Sequence, residues 1–155
     1  MFNIKNILLP TDFSNLSLSA ASYACDIANQ YNAKVHLLYI LEKKPPILAI
    51  RSLDLSEEKI VKSLEDEAKK SLEATTAKVK EKANNPDLML EPVLRKGLDY
   101  VEINNYAEEK KVDLIVIATH GRTGLLHTLL GSVAEKVIRY AKRPVLVITP
   151  TDKEQ

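Results

Sequence analysis

A chain of 155 residues with 22 basic and 21 acidic side chains has a formal net charge of +1, which excludes the basic footprint of a nucleic-acid binder. The length suits one domain, expected over residues 1–150 with a polar tail at 151–155, and is enough to bury about 70% of the unfolded chain's surface. A single cysteine, Cys25, excludes an internal disulfide and a CxxC site, and neither a long apolar span nor a signal peptide is present, so a reduced, cytoplasmic protein with no membrane partner is expected.

In chain order, Ile4 to Leu9 is a short apolar run closed by Pro10, which cannot donate to a sheet ladder and so marks the end of the first strand. Thr11 and Asp12 follow, and then a helix expected from Asn15 to Tyr31 with Leu18, Ala21, Ala24, Cys25 and Ala28 on one stripe. An aspartate at this point either caps the helix or faces a ligand crevice beyond the strand ends, and both roles stay open. Lys34 to Leu41 reads as a second, central strand, with His36 as a packed or solvated histidine. Glu42 to Ser56 holds Pro45 and Pro46 and reads as a loop. Ser56 then caps a long charged helix reaching about Ala83, its stripe made by Ile60, Leu64, Ala68, Leu72 and Val79.

Leu88 to Leu94 is expected as the third strand, followed by the turn residues Lys96 and Gly97 and a helix from Asp99. Leu114 to Ile117 is a continuous apolar run suited to a strand buried on both faces. It ends in Ala118, Thr119, His120, Gly121 and Arg122, small or polar residues that bend sharply and leave N–H groups for an anion. Nine residues separate Gly121 from Gly131 and Ser132, which open a helix through Val133, Val137 and Ile138. Phosphate is favoured at such a helix start, and a glycine there lets it approach. On this basis a side chain at Gly131 should obstruct phosphate and leave the fold largely intact. Two glycines in this connection also serve turn geometry alone, His120 suits loop ordering as well as phosphate contact, and Arg122 suits solvent as well as phosphate. Val145 to Ile148 is the fifth strand. Alternating strands and helices with right-handed crossovers give an α/β fold, a doubly wound five-stranded parallel sheet with helices on both faces.

The string ATHG, nine residues, GS, a helix and RPVLVI resembles the ATP-binding signature of the universal stress protein family, and PTDFS resembles that family's opening motif. The resemblance implies strand order 3-2-1-4-5, an architecture similar to the adenine nucleotide alpha hydrolase-like fold. It also implies a nucleotide site made by Pro10, Thr11, Asp12, Ile40, Ala118, His120, Gly121, Arg122, Gly131, Ser132 and Val133. In that site Asp12 lies near the ribose and the Ile40 main chain pairs with the adenine edge. Ala118 stands where the family has glycine, so its methyl is expected to weaken contact with the sugar. The implied ligand is ATP or another adenine nucleotide, with Mg.

The implied partner is a second copy joined through the last strand, Val145 to Ile148, a short apolar edge unguarded by lysines. The function implied is that of a nucleotide-dependent stress or regulatory protein with weak ATPase activity at most. A nucleotide-free dimeric interaction module and a slow ATP hydrolase or nucleotidyl-transfer enzyme are the alternatives. The HxGH and SGGxDS loops of related enzymes, the P-loop and the zinc-hydrolase patterns are absent from the sequence.

Overall fold

The computed structural model describes residues 1–42, 56–120 and 130–150. The elements are β1 (Asn6–Pro10), α1 (Asn15–Leu18), α2 (Ala21–Tyr31), β2 (Lys34–Leu41), α3 (Glu57–Ala83), β3 (Leu90–Lys96), α4 (Asp99–Glu109), β4 (Leu114–Ala118), α5 (Ser132–Tyr140) and β5 (Val145–Ile148). All strand pairs are parallel, and the sheet has five strands in the order β3-β2-β1-β4-β5.

Side-chain alternation along the strands divides the core between two faces. Ile7 and Leu9 of β1 lie with Val35, Leu37 and Val116 against Ala24 and Ala28 of α2 and Leu72 of α3. Leu8, Leu38, Ile115 and Ile117 point the other way, onto Ile103 and Ala107 of α4 and Ala134 and Val137 of α5. Burying each large aliphatic side chain contributes about 1.5–3 kcal/mol, so both helical layers are held by apolar area. Cys25 is packed in the first of these clusters, where burial and then the nearby Asp26 push its thiol pKa up to about 11.

Three sequence expectations shift. The single helix Asn15–Tyr31 is two helices, because the N–H and the hydroxyl of Ser19 both donate to the Leu16 carbonyl and close a first short turn. The first strand begins at Asn6 and includes Pro10. Thr11 N–H bonds the Leu38 carbonyl, so the backbone of Pro10 itself faces β4, whose pairing with β1 stops at Leu8 and Ile115. No ladder bond is lost there. The third strand runs Leu90–Lys96, and it carries Pro92 at the sheet edge. Val35 N–H donates to Met89 O and Gly97 N–H to Leu41 O, so the odd-numbered residues bond β2 and Pro92 turns its missing donor outward.

His36 is buried in β2, with Nδ1 2.8 Å from the Tyr106 hydroxyl and Nε2 3.2 Å from Asn6 Oδ1. This set fits a neutral imidazole that donates from Nε2 and accepts from Tyr106. Burial holds its pKa below the usual histidine value, Glu91 opposes that shift, and Lys34 and Lys110 add to it. The unfolded chain therefore binds the proton more readily. Stability tied to His36 should be complete above about pH 6.5 and decline as pH falls from there through the lower folded value. Urea melts between pH 7.5 and 5.5 should show this decline in the parent chain and a flatter profile in His36→Leu. Parallel profiles would contradict it.

Candidate functional site

β1 and β4 part after Leu8 and Ile115, at the point where the winding of the sheet reverses. Ligand crevices form at such switch points, beyond the carboxyl ends of the strands. A cavity of about 550 Å³ opens here, within the range of small-molecule sites. Pro10, Thr11, Asp12, Ile40, Ala118, His120, Gly131, Ser132 and Val133 all line it. Gly121 and Arg122 lie outside the described residues.

The wall after β1 is organised by short side chains. Thr11 and Ser17 are buried with their hydroxyls 3.1 Å apart. Ser17 Oγ donates to the Ser14 carbonyl and accepts from Asp12 N–H, while Thr11 Oγ1 accepts from Phe13 N–H. Phe13 takes a φ of 68°, a conformation that costs a bulky residue about 1 kcal/mol or more. Its ring stacks on Tyr39 with centroids 4.2 Å apart, an apolar contact that offsets part of that strain. The N-cap of α1 is Ser14, which accepts from Ser17 N–H. Asp12 instead accepts from Ser14 N–H and Ser14 Oγ through Oδ1, an arrangement that orders the loop at the cavity wall.

On β2, even-numbered residues bond β1 and odd-numbered ones bond β3, as Lys34 N–H to Lys5 O and Val35 N–H to Met89 O establish. The register between β1 and β2 ends at Pro10 and Leu38. Ile40 is the next even position, so its N–H and C=O face the gap that β1 has left. They present one donor and one acceptor to the cavity.

The opposite wall is the junction of β4 with α5. Thr119 N–H continues the sheet to Ile148 O, and Thr119 Oγ1 is 2.8 Å from His120 Nδ1. Gly131 folds back on this strand end, donating to the Thr119 carbonyl at 2.6 Å. Its φ of −69° is open to any residue, but a Cβ there would sit 2.5 Å from that carbonyl oxygen. Glycine is required for the close approach of two backbones, and the expectation that Gly131 tolerates a side chain without harm to the fold is corrected. The N–H groups of Ser132, Val133 and Ala134 open α5 without an intrahelical acceptor, at the positive end of its dipole.

Ala118 lines the cavity at the end of β4. Its methyl belongs to the core beneath α2 and α3, on the sheet face opposite the one that carries Ile117, Val133 and Ala134. Lys96 and Gly97 are not among the residues that line the cavity. Lys96 pairs with Glu65, and Gly97 makes a turn at φ 152° where a Cβ would meet Glu102.

The cavity has residues that sequence reasoning did not assign to it, among them Ser17, Glu42, Leu64, Asp99 and Ile103. Leu64 and Ile103 look in sequence like members of helical stripes, and only the tertiary placement of α3 and α4 brings them to one cavity. The acidic residues Asp12 and Glu42 follow β1 and β2 and Asp99 opens α4, while the start of α5 supplies N–H groups to the same cavity. The lining thus combines apolar side chains with three acidic residues and the N–H groups of a helix start.

The model of the universal stress protein family matches residues 3–149. Universal stress protein MJ0531 of Methanocaldococcus jannaschii is 39% identical over 150 residues, covering 97% of this chain and 85% of its own. The solved structure of MJ0577, from the same organism, superposes with a TM-score of 0.77 at 28% identity, covering 96% of this chain and 98% of that one. A universal stress protein in complex with cAMP has a TM-score of 0.66 at 24% identity over 96% of this chain and 99% of that one. One from Archaeoglobus fulgidus in complex with dAMP has a TM-score of 0.64 at 21% identity, with coverages of 96% and 99%.

Proposed function

The chain belongs to the universal stress protein family, and on that premise we propose that it is a cytoplasmic, ATP-binding regulatory protein whose nucleotide occupies the cavity between β1 and β4. One observation carries this: Asp12, the Ile40 main chain and the Gly131–Val133 helix start, distant in sequence, line one cavity of about 550 Å³. The Ile40 N–H and C=O match the N1 acceptor and 6-amino donor of adenine, Asp12 accepts from the ribose hydroxyls, and the first turn of α5 takes the phosphates. Neighbours of the same fold hold cAMP and dAMP, which supports an adenine nucleotide as the ligand class. Mg²⁺ would arrive on the triphosphate, since among the described residues no group of three His, Cys, Asp or Glu could hold a cation. The assembly we propose is a homodimer through β5, whose Val145, Leu146 and Val147 are half-buried at the sheet edge. Among the described residues, no helix is long and apolar enough to cross a membrane.

Turnover is expected to be weak at most. His120 Nδ1 is paired with Thr119 Oγ1, which favours a loop-ordering role over that of a base. The Ala118 methyl packs in the core. Ala118→Gly should leave ATP affinity within about twofold and lower stability by about 1 kcal/mol, through backbone entropy and lost packing. Calorimetry beside a urea melt separates these effects, and a tenfold gain in affinity would place the methyl against the ligand after all. The function itself is tested by mass spectrometry of small molecules released on heating the purified protein. An adenine nucleotide near one per chain is expected. Protein that releases none, and keeps none after incubation with Mg-ATP and desalting, would overturn the proposal.

A further inference from the structure

We infer that Asp99 is a specificity-determining residue that selects a 6-amino purine over a 6-oxo purine; this rests on the reading of the cavity as a nucleotide site. The β2 exit that carries Ile40 is joined directly to the start of α4. Gly97 N–H bonds Leu41 O at 3.0 Å, and two residues later Asp99 opens the helix and lines the cavity. Leu64 lines the same cavity from α3, and the adjacent Glu65 pairs with Lys96 at the end of β3. Ile103, one turn after Asp99, completes an apolar slot with Leu38. A flat base fits such a slot, and its edge would meet the Ile40 main chain and the Asp99 carboxylate.

Asp99 does not cap its helix. The N-cap is Leu98, 53% exposed and without a capping side chain. Asp99 Oδ1 instead accepts from Tyr100 N–H at 2.6 Å, which fixes the carboxylate of a residue that lines the cavity. Adenine carries two protons on its 6-amino nitrogen, enough for the Ile40 carbonyl and Asp99 together. Hypoxanthine carries an oxygen at that position, and its lone pairs would oppose both acceptors. A charged acceptor makes the discrimination large, because the mismatched base leaves it desolvated and unpaired.

Calorimetric titration with Mg-ATP and Mg-ITP of the parent chain, Asp99→Ala and Asp99→Asn tests this. The parent should prefer ATP by about 100-fold. Asp99→Ala should reduce that ratio about tenfold, chiefly by weakening ATP. Asp99→Asn, whose amide donates to O6, should strengthen ITP and lower the ratio below that of Asp99→Ala, with ATP still ahead through the Ile40 main chain. A parent that binds ATP, with ratios in both variants within twofold of its own, would overturn the role of Asp99 and leave the site intact. A parent that binds neither nucleotide would overturn the site and this inference together.

Discussion

Gly131→Ala is expected to destabilise the protein by about 3 kcal/mol, nearly as much as Gly131→Val, and to abolish tight nucleotide binding in both. The reason lies in the first added carbon. A Cβ at this position meets the Thr119 carbonyl oxygen at 2.5 Å, and that oxygen belongs to a backbone held on its other side by Thr119 N–H to Ile148 O. No side-chain rotation relieves the contact, so either β4 or the start of α5 must move. For a chain of this size the loss corresponds to a melting temperature lower by about 6–12 °C. Displacing Gly131 also displaces the N–H groups of Ser132 and Val133, which couples fold and site in one residue. If glycine served only to admit phosphate, alanine would melt like the parent. A thermal melt of Gly131→Ala decides between the two: an unchanged midpoint would refute the backbone account.

Asp12→Ala should weaken ATP about 10- to 100-fold, the range for losing a charged acceptor of hydrogen bonds. The same carboxylate accepts from Ser14 N–H and Oγ, so alanine also loosens the N-cap of α1. Asp12→Asn separates the two effects. Its side-chain oxygen still accepts from Ser14, while the charge and one acceptor toward the ribose are lost. Asparagine should therefore keep the parent's melting temperature within about 2 °C and still bind ATP about tenfold more weakly, as ΔΔG near 1.4 kcal/mol requires. Equal affinities for the parent and Asp12→Asn in a titration would assign the residue to loop ordering alone.

Periodicity revealed the sheet and most of the helices because the core is built from uninterrupted apolar runs such as Leu114 to Ile117 and from clean stripes such as Ile60, Ala68 and Leu72. Strand order was legible through the family resemblance, since alternation of strands and helices is compatible with several windings. What the sequence hid were matters of direction. Ala118 differs from a glycine by one methyl in either account, and only alternation along β4 tells which face receives it. Gly131 looks like a phosphate glycine until the Thr119 carbonyl is seen beneath it. Ser19 breaks a helix through a bond to Leu16 that helix propensity does not register. Asp99 and Leu64 line one cavity although their helices cover opposite faces of the sheet, and long-range placement of that kind leaves no local pattern.

A calorimetric titration of the purified chain with Mg-ATP tests most directly whether Asp12, Ile40 and the start of α5 form one nucleotide cavity. Saturable binding at one site per chain is expected, with a dissociation constant at or below about 10 µM and a melting temperature that rises as ligand is added. No heat of binding and no change in the melting temperature at millimolar Mg-ATP, from protein shown to carry no nucleotide beforehand, would contradict it.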